Sequence, residues 1–174
     1  MYHVQVGKPA PQFKLEALVG NDFKEISSED YAGKWKILFF YPMDFTFVCP
    51  TEVLEFSKRA EEFEKIDAQI LACSIDSVYS HQAWVKELGK LNYPLLSDMT
   101  RDLSREYGVL IEEKGVALRG LFIVDPDGIL RYQVVHDLSV GRSVDETLRV
   151  LTALQSGELC QIGWKKGDEH VKEQ

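Results

Sequence analysis

No run in this 174-residue chain approaches the roughly 20 apolar residues that a bilayer-spanning helix needs. The N-terminus has no basic stretch leading into an apolar one, so nothing there reads as a signal peptide. Positive charge is in the minority. Twenty Lys and Arg stand against 28 Asp and Glu, for a formal charge of −8. An acidic surface without a basic patch argues against nucleic acid and anionic membrane as partners, because either needs cations to neutralise phosphate. Cysteine is scarce too. Three residues, Cys49, Cys73 and Cys160, are too few and too far apart for a disulfide scaffold, and none forms a Cys-x-x-Cys pair. The four histidines, His3, His81, His136 and His170, lack metal-ligand spacing, so no metal site is expected. There are no internal repeats, low-complexity stretches or linkers. These exclusions leave a soluble, cytoplasmic protein of one domain over residues 1–174, long enough to bury a good core.

Taken in order, the chain alternates strand and helix patterns. An N-terminal extension from Gly7 is held extended by Pro9 and Pro11. A strand around Phe13 to Leu15 turns at Gly20-Asn21-Asp22, and Ser27 and Ser28 offer a cap for a short helical turn before Gly33. The apolar run Lys36 to Tyr41 reads as a central buried strand. A loop and a helix over about 51–66 follow, with Cys49 expected just before the helix. A second buried strand, Gln69 to Ile75, completes a β-α-β unit. A helix over Ser77 to Gly89, a strand-like Pro94 to Leu96 and a short helix from Leu103 to Tyr107 come next. Gly120 to Val124 and Ile129 to Val135 read as a hairpin across Asp125-Pro126-Asp127-Gly128. The Asp-x-Asp-Gly there lacks the rest of a calcium loop. Ser143 to Gln155 is an amphipathic helix with the form of a capping box at Ser143 and Glu146, ended by Gly157. A polar tail over about 157–174 closes the chain, its last residues expected to be mobile. This order is that of an α/β, thioredoxin-like domain with a central mixed β-sheet flanked by helices.

The chemistry concentrates where the first central strand ends. Pro50 marks a helix start, since proline is tolerated where the first N–H groups have no partner. Cys49 therefore lies at a helix N-terminus. Unpaired N–H groups and the positive end of the macrodipole favour an anion there, the setting in which a thiol ionises near neutral pH. A lone cysteine is otherwise most often a small buried apolar residue, which is how Cys73 reads inside its apolar strand. By themselves Thr46 and Pro42 are turn residues, Arg119 is a solvated charge at a strand end, and Cys160 is a cysteine on an accessible tail.

The string Pro42-Met43-Asp44-Phe45-Thr46-Phe47-Val48-Cys49 resembles the Pro-x-x-x-Thr-x-x-Cys motif of peroxiredoxins. The longer Asp44-Phe45-Thr46-Phe47-Val48-Cys49-Pro50-Thr51-Glu52 looks like that of the typical two-cysteine subfamily, which includes the peroxidase subunit of bacterial alkyl hydroperoxide reductase. The similarity runs from about Gly7 to about Gly167. The resemblance implies a thiol-dependent peroxidase of antioxidant defence acting on hydrogen peroxide and small organic hydroperoxides. Cys49 would be the peroxidatic residue. Thr46 would orient the peroxide, and Pro42 would wall off water. Arg119, in Leu118-Arg119-Gly120-Leu121-Phe122-Ile123, matches the arginine that sits against that cysteine. Arg142, in Val140-Gly141-Arg142-Ser143, matches one that networks with the glutamate at Glu52.

Cys160, in Gly157-Glu158-Leu159-Cys160-Gln161-Ile162-Gly163-Trp164, matches the resolving cysteine, which pairs with the peroxidatic cysteine of another subunit. Family members commonly have Pro-Ala where this chain has Gln161-Ile162. The resemblance further implies a homodimer assembling into a decameric ring, and a dithiol reductant. That reductant would be thioredoxin or a flavoprotein disulfide reductase of the alkyl hydroperoxide reductase type. No flavin, haem or metal is implied as a cofactor. Over-oxidation-sensitive relatives carry a Gly-Gly-Leu-Gly loop and a C-terminal Tyr-Phe pair. Neither is found here, where Gly108-Val109-Leu110-Ile111 occupies the loop region, so resistance to over-oxidation is expected. Two rivals are a thiol–disulfide oxidoreductase of the same fold, which would need a second cysteine near Cys49, and a redox-silent holdase.

Overall fold

The structure, a computed structural model, describes residues 4–173. They fall into two compact units, one ending at Arg142 and one beginning at Ser143.

The first unit opens with a hairpin of β1 (Lys14–Val19) and β2 (Asp22–Ser27), with Val19 opposite Asp22. Gly20 supplies the positive φ, +62°, that so tight a turn requires. A single 3₁₀ turn, Ser28–Tyr31, follows, and the Ser27 N–H donates to Asp30 at 2.7 Å. Then come β3 (Trp35–Phe40), α1 (Cys49–Lys58), α2 (Ala60–Glu64), β4 (Ala68–Ser74), α3 (Val78–Leu88), β5 (Leu95–Ser97) and α4 (Asp102–Glu106). Two short strands, β6 (Leu110–Ile111) and β7 (Val116–Ala117), pair with each other, and β8 (Arg119–Val124) and β9 (Leu130–His136) complete the unit. Seven strands form one mixed sheet in the order β2-β1-β5-β4-β3-β8-β9. β3 pairs parallel with β4 and antiparallel with β8.

The continuous apolar character of β3 follows from burial on both faces. Successive side chains point to opposite sides of a sheet. Leu38 and Phe40 join a core cluster with Leu71, Tyr107, Phe122 and Val124. Phe39 instead stacks on Phe56 of α1, centroids 4.7 Å apart, and meets Tyr93 edge-on at 5.9 Å. The sheet thus fixes the C-terminal end of β3, and aromatic packing fixes α1 against it.

Local chemistry sets the other boundaries. Ser77 caps α3, its hydroxyl accepting from the Ser80 N–H at 3.1 Å, and Gly89 ends that helix. In the β8–β9 turn the Asp125 carboxylate accepts from the N–H groups of Asp127 and Ile129 and from Arg131 Nε at 2.6 Å. Those donors occupy its oxygens, which explains the aspartate without a cation.

Two boundaries differ from the expectation. The helix expected over about 51–66 starts at Cys49 and is divided at Arg59, whose φ of −104° and ψ of 10° leave the helical range. Cys49 is therefore the first helical residue, not the one before the helix. The small β6–β7 pair also went unanticipated, because two-residue strands carry no readable period.

The second unit is α5 (Val144–Ser156) and the tail. Ser143 accepts from the Glu146 N–H at 3.1 Å. The Glu146 carboxylate turns to Arg149, at 2.7 and 2.8 Å, and so makes only half of the anticipated capping box. Gly157, at φ +68°, ends the helix. The tail is bent by specific bonds, among them Val171 N–H to the Leu159 carbonyl at 2.9 Å.

Candidate active site

The end of β3 and the start of α1 bring the sequence-selected residues of the first unit together. Cys49 is fully buried, as the first residue of α1. Helix geometry puts the residue three positions later on the same side, and that residue is Glu52, 4% exposed. Arg119, the first residue of β8, reaches both of them. Its Nη1 donates to Cys49 Sγ at 3.3 Å and to Glu52 Oε1 at 2.7 Å, while its Nε donates to the Leu138 carbonyl at 2.7 Å. A guanidinium pinned at three points cannot drift from the sulfur. It fixes an N–H donor and a positive charge beside the sulfur.

Arg142 completes the frame. Its Nε and Nη2 grip the Glu52 carboxylate at 2.6 and 2.8 Å, and its backbone N–H adds a third bond at 2.8 Å. Its Nη1 donates to the carbonyls of Phe40 and Gly120, both at 2.7 Å, and the guanidinium lies over the Phe39 ring, 5.1 Å from its centroid. One side chain thereby ties β3, β8 and α1 together. Burial alone would raise the Glu52 pKa. The bonds and charge of Arg142 and the charge of Arg119 outweigh burial and hold it below the usual carboxylate range.

The loop between β3 and α1 carries the other two selected residues. Pro42 is buried at its start. Thr46 is half-buried, and its hydroxyl donates to the Met43 carbonyl at 3.1 Å rather than to the sulfur. Between them Phe45 adopts φ +59°, a left-handed conformation that costs a bulky residue about 1–2 kcal/mol.

What holds that conformation was not visible in the sequence. The Asp44 carboxylate, buried, accepts from Tyr41 Oη at 2.7 Å and Ser80 Oγ at 3.0 Å, and its other close partner is His81 Nδ1 at 2.8 Å. The Asp44 N–H donates to Asp76 at 2.9 Å, and His81 Nε2 faces the Leu96 carbonyl at 3.0 Å. Asp44, Asp76 and His81 are the one group among the described residues with metal-like clustering. Both Asp44 oxygens and Asp76 Oδ2 are engaged by protein donors, so the cluster reads as a brace for the loop. No spacing rule links Asp44 to a histidine on a later helix; only its place inside the motif hinted at a role.

Cys73 lies wholly inside β4, and burial, with a smaller contribution from Asp98, pushes its thiol well above the usual range. It is unsuited to nucleophilic work. Cys160, in the second unit, is half-buried and free.

A family model described as the AhpC/TSA family matches residues 6–133. The chain belongs to that family. It is 56% identical over 174 residues to a protein of the Clostridium pasteurianum rubredoxin operon assigned to the peroxiredoxins, covering 95% of this chain and 98% of that protein. It is 53% identical over 180 residues to peroxiredoxin-2 of Macaca fascicularis, covering 98% and 91%. Among solved structures, the reduced 2-Cys peroxiredoxin of Plasmodium vivax superposes with a TM-score of 0.93 at 40% identity, covering 99% of this chain and 93% of that one. AhpC of Mycobacterium tuberculosis superposes at 0.84 and 46%, covering 93% and 99%. The fold is accordingly the thioredoxin-like fold of the peroxiredoxins, and the enzyme is a thiol-dependent peroxidase.

Proposed function

We propose that this peroxiredoxin reduces hydrogen peroxide and small organic hydroperoxides with Cys49 as nucleophile and Cys160 as resolving thiol. The observation that carries the reading is the 3.3 Å contact between Arg119 Nη1 and Cys49 Sγ at the start of α1. The Cys49 thiolate attacks the terminal peroxide oxygen. The O–O bond breaks, Cys49 becomes a sulfenic acid, and the departing alkoxide or hydroxide takes up a proton. Arg119 and the first N–H groups of α1 stabilise the charge as it moves from sulfur to oxygen. Pro42 shields the sulfur from water, and Thr46 turns its hydroxyl to the peroxide once substrate displaces the Met43 carbonyl. Glu52 and Arg142 hold Arg119 in place. Cys49 is fully buried, so peroxide reaches the sulfur only when the surrounding structure yields.

Cys160 of a second chain then condenses with the sulfenic acid, giving an intersubunit disulfide and water. Phe47 and Ile162 stand fully in solvent, which favours a partner chain covering them. We place the enzyme in the cytoplasm as a homodimer assembling into a ring of five dimers. A dithiol protein, thioredoxin or a flavoprotein disulfide reductase, would regenerate it. No helix among the described residues is long and apolar enough to cross a membrane.

Non-reducing gels of peroxide-treated protein test this reading. A covalent dimer should form in the wild type and vanish in both Cys49→Ser and Cys160→Ser, with peroxide consumption abolished in Cys49→Ser alone on the first turnover. An internal disulfide migrating as monomer would overturn the intersubunit step. Retained turnover in Cys49→Ser would overturn the nucleophile.

A further inference from the structure

The second unit places beside Cys160 a side chain, His170, that the peroxidase reading leaves unused. After Gly157 the chain turns back on itself. Trp164 N–H bonds the Gln161 carbonyl at 3.1 Å, Lys165 N–H bonds Asp168 Oδ2 at 2.8 Å, and Val171 N–H bonds the Leu159 carbonyl at 2.9 Å. The last bond lays the residue after His170 against the residue before Cys160, and the two side chains meet. His170 Nδ1 lies 3.7 Å from Cys160 Sγ, within hydrogen-bonding range for sulfur. The imidazole is also held on one face. It stacks on the Trp164 ring, centroids 5.1 Å apart and planes 22° from parallel. Trp164 is 4% exposed, and its carbonyl is bound by Arg149 Nη1 from α5 at 3.0 Å.

The other contacts of the thiol are Ser156 Oγ and the Glu158 carbonyl, both at 3.6 Å, and the Ala153 carbonyl at 3.8 Å. These can accept a hydrogen bond but cannot take the proton away near neutral pH. His170 Nδ1 can, when the ring proton sits on Nε2. We propose that His170 is the general base of the resolving step, which rests on the reading of Cys160 as resolving thiol. Nδ1 removes the Sγ proton of Cys160. The sulfur lone pair attacks the sulfur of a Cys49 sulfenic acid, and the S–S bond forms as the S–O bond breaks. Hydroxide leaves and collects a proton as water, returning His170 to its neutral form. The sulfenic acid is the oxidant and the Cys160 thiol the reductant, so nothing else is consumed. A reacting thiol needs thiolate character, and a positioned base typically contributes about 10²–10⁴-fold to such a transfer.

The test is rapid-quench oxidation of the full-length reduced enzyme by one equivalent of hydrogen peroxide, comparing wild type, His170→Asn and Cys160→Ser. Sulfenic acid and disulfide are counted by alkylation and mass spectrometry from pH 6 to 9.5. Glu158, Glu169, Lys172 and Glu173 line the same groove as His170 and stay in place in every variant. His170→Asn should form sulfenic acid at the wild-type rate and disulfide about 10²-fold more slowly at pH 7. The deficit should close above about pH 9, where an ordinary thiol ionises unaided. Added imidazole should partly restore the rate in His170→Ala. Wild-type resolution in His170→Asn overturns the proposal, as does a slowing that is uniform in pH and indifferent to imidazole, since that marks a purely structural ring. If Cys160→Ser still forms the disulfide dimer, the resolving assignment itself falls. If it does not, while His170→Asn resolves normally, only the base is wrong.

Discussion

Replacing Glu52 by glutamine keeps the shape of the side chain and removes its charge. In the wild type this carboxylate, 2% exposed at the side chain, is the shared counter-charge of two guanidiniums, at 2.6 Å from Arg142 and 2.7 Å from Arg119. Glutamine leaves both cations facing a neutral amide and turns an NH₂ donor towards one of them. Breaking a buried ion pair by removing one partner costs about 3–5 kcal/mol, because the remaining charge stays desolvated. For a chain of this size each kcal/mol moves Tm by about 2–4 °C, so Tm should fall by about 6–20 °C.

The loss should depend on pH with a definite sign. The folded-state pKa of Glu52 is depressed, so its contribution is present above the unfolded carboxylate value, about 4.3, and disappears as pH falls through the folded value. Wild type and Glu52→Gln should therefore differ most near pH 7 and converge in acid. Thermal unfolding of the reduced proteins, at fixed concentration because assembly adds to apparent stability, measures this. The same variant should also slow Cys49 oxidation, since Arg119 loses one of the points holding Nη1 at the sulfur. A Glu52→Gln protein within about 1 kcal/mol of the wild type, with the same acid dependence, would refute the shared-counter-charge argument.

Arg119→Met, which keeps the buried packing volume, should lower the second-order rate of Cys49 oxidation by about 10²-fold or more, the scale on which losing one preorganised donor is felt; stopped-flow mixing with peroxide checks it. His81 faces acceptors at both ring nitrogens. Burial alone would lower its pKa, but the bond and charge of Asp44, with smaller help from Leu96 and Asp76, raise it. Its contribution to stability is then full below about pH 6.5 and is lost as pH rises through the raised value. His81→Gln should remove that decline from the pH dependence of urea unfolding, and identical slopes would contradict the pairing. Over-oxidation should be slow. Val48 offers no side-chain cap to α1, so Cys49 and Pro50 can unwind and expose the sulfenic acid to resolution while the bonds of Glu52 to Arg119 and Arg142 hold the rest of the helix. Mass spectrometry during turnover with a working reductase should find little Cys49 sulfinic acid; rapid stoichiometric accumulation at low peroxide would defeat the idea.

The parts of the site legible in the sequence are those joined by short chain separation. Pro42, Thr46, Cys49 and Glu52 occupy one loop and one helical turn, so a motif and a helix-start rule suffice to place them together. Arg119 and Arg142 are different. They lie 67 and 90 positions from Glu52, and only the resemblance of their local strings marked them, since no period or propensity predicts that two distant arginines share one carboxylate. The sheet was readable for a related reason. β3, β4 and β8 are buried on both faces and show it as apolar runs, and the Asp125–Gly128 turn announces the hairpin.

The Asp44–His81 brace and the tail were not readable, and the physical cause is the same in both. Each is held by a few specific polar contacts rather than by an apolar face, and specific contacts leave no period behind. His81 reads as one of four scattered histidines until the fold puts Nδ1 2.8 Å from Asp44. The tail reads as patternless polar chain, yet Trp164 is buried, His170 stacks on it, and a single backbone bond from Val171 to Leu159 sets the separation of His170 from Cys160. Lack of pattern in a short segment therefore shows only that no amphipathic face was needed to fold it. In this chain both such segments adjoin a proposed reacting cysteine. Geometry there must be fixed within tenths of an ångström, and directed hydrogen bonds and ring stacking fix position more sharply than non-directional apolar burial can.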